Sequence, residues 1–186
     1  MKNKILITAV PRSGTGYTSK LLTSCGIDVP HEVSLGKHGI VSWKGIIENL
    51  DCNIILHQTR NPLKVISSLT IIMPESWRYI YKNINMEMPK DLIERAMCAY
   101  YYWNKLIESK NPILRYKVEE LDVILPYLFG LFVKEIPKVI PEISKDYNTK
   151  KQQRRKCVDI GIMKDINSKL TSLIIGMANS YGYFIK

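Results

Sequence analysis

Short continuous apolar runs alternate along the chain with stretches whose apolar positions recur at helical spacing. The run at 5–10, ILITAV, predicts a short buried strand that stops at Pro11, and residues 15–25 then carry helical spacing until Gly26 ends it. The same signals return at 53–58, a second buried strand. It leads into Arg60-Asn61-Pro62, where Asn61 can cap and Pro62 can take the first position of a helix running toward Met73. A long amphipathic helix is predicted at 89–109, another short strand at 112–116 and a C-terminal helix at 164–181. Residues 27–29 read as a further short strand, and 145–156 as a polar, basic loop. Strand and helix signals in alternation predict an α/β fold of three layers, α/β/α, around a central parallel sheet. No repeat or linker interrupts the pattern, so the 186 residues are expected to form one domain spanning 1–186.

Composition narrows the classes. Hydrophobic residues make up 46% and charged residues 24%, which excludes wholesale disorder, a collagen-like repeat and a coiled-coil rod. Lys and Arg number 27 against 17 Asp and Glu, a formal net charge of +10 that points to an anionic partner without naming it. Cys25, Cys52, Cys98 and Cys157 form no CxxC pair and the three histidines add no ligand spacing, so no metal site is expected. The first apolar run is too short for a signal sequence or a membrane span, which predicts a cytoplasmic chain with free thiols and no integral membrane segment.

Candidate chemistry concentrates in AVPRSGTGYTSKLL, residues 9–22, between the first strand and the first helix. Ser13, Gly14, Thr15 and Gly16 are small enough for successive backbone N–H groups to turn inward. The helix N-terminus adds partial positive charge, so the loop can cradle a phosphate or sulfate, and Arg12 adds a full charge. The bland alternative is a tight turn that uses glycine only for its backbone angles. The nucleotide triphosphatase signature GxxxxGK[ST] is absent, since Gly16 is followed by Tyr17 and Thr18 with no Lys, which argues against ordinary ATP or GTP hydrolysis.

PRSGT in this loop, the later Pro30-His31-Glu32, and TRNPLKVISS at 59–68 jointly resemble the sulfotransferase family that uses 3′-phosphoadenosine 5′-phosphosulfate (PAPS). Weaker similarity continues through YYYWNKLI, LRYKVEEL and NSYGYF. The resemblance implies a P-loop-containing nucleotide-binding fold and transfer of a sulfuryl group to an acceptor hydroxyl. It assigns the 5′-phosphosulfate to Arg12, Ser13, Gly14, Thr15, Gly16, Tyr17 and Thr18. The 3′-phosphate falls to Arg60 and to Ser68, eight positions later. It also implies Glu32 as general base, with His31 as the alternate, and Arg12 as the group that stabilises charge on the departing phosphate. The chain departs from the family pattern in three ways. It is shorter than many members, it lacks the GxxGxWK segment, and Arg12 replaces a frequent Lys. Arg154 and Arg155 of QQRRK occupy a place comparable to the missing segment, and neither is assigned a contact.

Two rival classes are weighed on the same residues. A P-loop kinase-like phosphotransferase needs a Lys after the last loop glycine and an acidic strand end for Mg²⁺. A non-catalytic basic nucleotide- or nucleic-acid-binding module needs basic residues grouped on one element, and here they are dispersed, so no nucleic-acid partner is expected. Tyr100, Tyr101, Tyr102 and Trp103 read as helix core and flank, not a base-stacking platform. The expected partner is a small-molecule or glycan hydroxyl acceptor. Lys37, His38, Lys44 and the loop at 145–156 are read as cations that favour a polar, anionic acceptor such as a saccharide over a flat phenol.

Overall fold

The computed structural model describes residues 4–132, 137, 140, 142–143 and 156–185. Four strands, β1 (Ile5–Thr8), β2 (Gly39–Val41), β3 (Ile54–Thr59) and β4 (Leu114–Lys117), form a parallel sheet in the order β2-β1-β3-β4. The helices are α1 (Thr15–Ser24), α2 (Pro62–Leu69), α3 (Pro74–Ile84), α4 (Leu92–Glu108), α5 (Leu121–Leu131) and α6 (Ile160–Ser180). Alternation along β1 shows why three layers form. Leu6 faces a core built with α2, α3, α4 and α6, whereas Ile5 and Ile7 face a second core built with α1 and α5. Both faces of the sheet are thereby covered, as an all-parallel sheet requires.

Helix ends follow local chemistry. The Asn61 side chain accepts from the Lys64 amide and Pro62 opens α2, as the sequence predicts. Asp91 caps α4 through the amides of Ile93 and Glu94, and Asp159 caps α6 through Ile162. The aromatic run of α4 behaves as predicted, with Tyr100 and Trp103 buried and Tyr101 and Tyr102 half-buried.

Four elements differ from expectation, among them α5, which has no counterpart in the sequence reading. The strand predicted at 27–29 does not form; the Val29 amide turns back onto Ile27 O, and the chain pairs with β2 only afterwards, through a single bridge from His31 to Val41. β2 itself carries no strong sequence signal, because its three residues follow a glycine-containing loop and lie inside a polar stretch. The helix predicted from Pro62 toward Met73 stops at Leu69, and Pro74 opens a separate α3.

All four strands point their carboxyl ends the same way. Since β1 lies between β2 and β3, the connections leaving β1 and β2 run in opposite directions. The crevice between the carboxyl ends of β1 and β3 is therefore the topological switch point, where open α/β sheets bind ligands.

Candidate functional site

Residues 9–14 span that crevice and lead from β1 into α1. Arg12 and Gly14 both adopt positive φ, 74° and 88°, and between them the Ser13 amide donates to Val10 O at 3.2 Å. At Gly14 the requirement for glycine is double: a Cβ there would meet Val118 Cγ2 at 3.1 Å, in a conformation L side chains avoid. Gly14 is also the N-cap of α1, no side chain caps this helix, and its first turn holds no acidic residue. The amides of that turn have no intrahelical acceptor and sum to a partial positive charge.

Two guanidinium groups converge on the loop. Arg12 Nε donates to Ser68 Oγ at 3.0 Å, and Arg60 Nη1 donates to the Arg12 carbonyl at 3.0 Å. Ser68 lies well along α2, and it meets the loop because it occupies the buried face of that helix, only 4% exposed. The spacing of Arg60 and Ser68 thus brings both to the same place as Arg12.

Beneath the loop, Gln58 is fully buried among strand residues. Its oxygen accepts from Thr18 Oγ1 at 2.6 Å and from the Tyr116 hydroxyl at 2.9 Å, while its nitrogen donates to the Ser13 carbonyl at 2.8 Å. Thr18, assigned by resemblance to the ligand, gives its hydroxyl to Gln58 and its amide to Gly14 O, so it holds the loop from below. Tyr17 is half-buried and packs against the α1–α5 core. Sequence reasoning did not find Gln58; the available signal was an uncharged polar side chain inside the apolar strand run IILHQT.

The candidate base lies across β2. The Glu32 amide donates to Val41 O, at the carboxyl end of that strand, and Glu32 takes the left-handed conformation with φ 59°. Its Oε1 is 3.6 Å from His31 Nε2. The same ring nitrogen lies 2.9 Å from Thr15 Oγ1, at the start of α1. Glu32 and Thr15 therefore share one imidazole nitrogen, and a relay through opposite sides of the ring does not exist here. Burial pushes the His31 pKa below its ordinary value, with the Glu32 charge opposing.

Lys37 and His38 do not join the site. The Lys37 amide donates to Asp28 Oδ2, His38 Nδ1 accepts from the Asp28 amide, and both precede β2 at the amino edge of the sheet. This corrects their reading as acceptor-side cations. Lys44, which follows β2, stays at the carboxyl edge, its Nζ over the Trp43 and Tyr79 rings at 5.5 and 5.6 Å. Arg154 and Arg155 lie outside the described residues. Just after them, the Lys156 amide donates to Thr70 Oγ1 and the Val158 amide to Ser67 Oγ, so the chain returns beside the end of α2 that carries Ser68.

No protein-family model matches the chain. No curated protein matches it. Among solved structures it is similar to the mouse sulfotransferase SULT7A1 complexed with PAP. That match has 13% sequence identity, covers 96% of this chain and 85% of the other, and has a TM-score of 0.48. No helix among the described residues is long and apolar enough to cross a membrane.

Proposed function

We propose that this protein is a sulfotransferase that moves a sulfuryl group from PAPS to the hydroxyl of an acceptor, a saccharide being the favoured class. One observation carries the reading: Arg12, Arg60 and Ser68 converge at the carboxyl ends of β1 and β3, beside the uncapped N-terminus of α1. The donor is a polyanion with phosphate groups at both ends of a ribose. A cradle of helix amides with Arg12 suits one end, and Arg60 with Ser68 suits the other.

PAPS supplies the sulfuryl group and leaves as adenosine 3′,5′-bisphosphate (PAP). Arg12 and the amides of the α1 first turn face the negative charge that grows on the departing phosphate, electrostatic stabilisation by groups already in place. Glu32 accepts the proton of the acceptor hydroxyl as the new S–O bond forms. On this reading the acceptor approaches from the β2 side, where Glu32 and Lys44 stand. A phosphotransferase of the P-loop kinase class is disfavoured by Tyr17, which stands where such enzymes carry a phosphate-binding Lys.

Thermal stabilisation tests the reading. At about 100 times its dissociation constant PAP should add roughly 2.7 kcal/mol of stability, and AMP, which lacks the 3′-phosphate, should add clearly less at the same concentration. Arg60→Ala should shrink the preference for PAP over AMP. Equal stabilisation of the wild type by the two nucleotides, or stabilisation by ATP with Mg²⁺ alone, would overturn the proposal.

A further inference from the structure

Gln58 is costly where it stands. The strand face it occupies is otherwise built from Ile5, Ile7 and Leu56, and a fully buried carboxamide is tolerated there only if its polar atoms are bonded. A Leu or Met of similar length would fill the space without that requirement, so the residue's use lies in what it bonds. Ser13 O accepts and cannot donate, which assigns the Gln58 NH₂ to it and the Gln58 oxygen to the two hydroxyls, Thr18 Oγ1 and Tyr116 OH. The side chain is thereby fixed at both ends, by α1 and β4 on its oxygen and by the loop on its nitrogen.

This clamp controls a direction. A trans peptide unit is planar, so its N–H points opposite to its C=O. With the Ser13 carbonyl held down onto Gln58, the Gly14 amide in the same peptide unit faces away from the sheet, toward the side where an anion would lie over the α1 N-terminus. The unit is otherwise free to rotate as a whole, because Gly14 has no side chain to resist it and its φ of 88° lies in a broad basin for glycine.

We infer that Gln58 is a positioning residue for the donor's 5′ end: it aims the Gly14 amide at the 5′-phosphate group while touching no ligand itself. The inference rests on the sulfotransferase reading of the loop and adds to it a residue that lies outside both the loop and the 59–68 segment. Its action is on recognition of the 5′ group alone, because Arg60 and Ser68 engage the loop through Arg12 and not through Gln58.

Binding of PAP and of adenosine 3′-phosphate, which lacks the 5′-phosphate, separates the possibilities when measured by calorimetry on wild type, Gln58→Met and Tyr116→Phe. Wild type should prefer PAP by about tenfold or more, as expected for a charge-assisted contact. Gln58→Met should bring the preference below about threefold while adenosine 3′-phosphate binds as in wild type. Tyr116→Phe, which loses a bond to the Gln58 oxygen but leaves the Ser13 clamp, should keep the preference even where its melting temperature falls as far. A wild type without preference would refute the reading of the loop. A wild type with it and a Gln58→Met variant that retains it would refute the role of Gln58 alone. Should Gln58→Met fail to fold, the Gly14 amide resonance of wild type gives the answer: a downfield shift with PAP and none with adenosine 3′-phosphate supports the clamp, and a resonance that PAP leaves unmoved overturns it.

Discussion

His57 stands on β3 with none of its surface exposed, and its Nε2 lies 2.9 Å from Asn104 Oδ1. Asn104 gives its Nδ2 to the Tyr100 carbonyl, so its oxygen faces the ring and the neutral imidazole carries its proton on Nε2. Nδ1 has no partner among the described residues, and protonating it would bury an N–H with nothing there to receive it. Burial pushes the pKa down to about 4; the Asn104 bond and Glu108 oppose this and Arg115 assists it. Unfolded, the ring titrates near 6.5, so between the two values the unfolded chain binds more protons and stability falls as pH falls. The gap is worth roughly 3 kcal/mol, present above the higher value and lost once pH reaches the lower. Urea unfolding at about pH 7 and about pH 4.5 should show wild type losing more stability than His57→Gln; equal losses would refute the assignment. Glu32 offers a residue-scale test of chemistry. Glu32→Gln keeps the shape of the side chain and removes its capacity to take a proton, so turnover should drop by about 10² to 10⁴ with PAP affinity unchanged. Near-normal turnover would return the role to His31, whose Nε2 is then the remaining proton acceptor beside Thr15.

At the scale of elements, legibility followed the strength of local signals. β1, β3, α1 and the start of α2 were readable because apolar runs end at turn residues there and, at α2, Asn61 caps and Pro62 opens the helix. Arg12 and Arg60 were readable for the same reason, since each sits at the exit of such a run. β2 was not, because a strand of three residues owes its existence to pairing with β1 and to the strip at 30–32 that covers its outer edge. α5 was hidden by Pro126, a residue that reads as a breaker and here lies inside a helix held by Leu121, Leu125, Leu128 and Phe129 against the sheet. α6 was legible, and non-helical angles at Asn167 kink it inside the span the sequence predicts. Long-range bonds left no trace in sequence at all: Thr15 to His31 spans 16 residues and Arg12 to Ser68 spans 56. The spacing of Arg60 and Ser68 was visible, whereas the face of α2 that makes the spacing useful became visible only in three dimensions.

Among the described residues, cations stand at both edges of the sheet, and only one edge serves the proposed reaction. Lys37 and His38 are tied to Asp28 at the amino edge, which removes them from the acceptor's surroundings. Arg12, Arg60 and Lys44 remain at the carboxyl edge. On this reading the donor, itself a polyanion, takes the first two, and Lys44, stacked on Trp43 and Tyr79, is a cation that stands on the acceptor's side. A cation over aromatic faces at the mouth of a site suits a hydroxyl on a polar or anionic molecule better than a flat apolar phenol, which would need an enclosed apolar slot. Transfer from labelled PAPS to carbohydrate, peptide-tyrosine and simple phenolic acceptors, run side by side, should favour the carbohydrate. Lys44→Ala should raise KM for an anionic saccharide about threefold to tenfold and leave PAP affinity unchanged, because one half-buried charge contact is lost and the donor's contacts lie across β1. The KM effect should fade as ionic strength rises and exposed charges are screened. Strong transfer to phenols with none to saccharides would overturn the acceptor class while leaving the donor site intact.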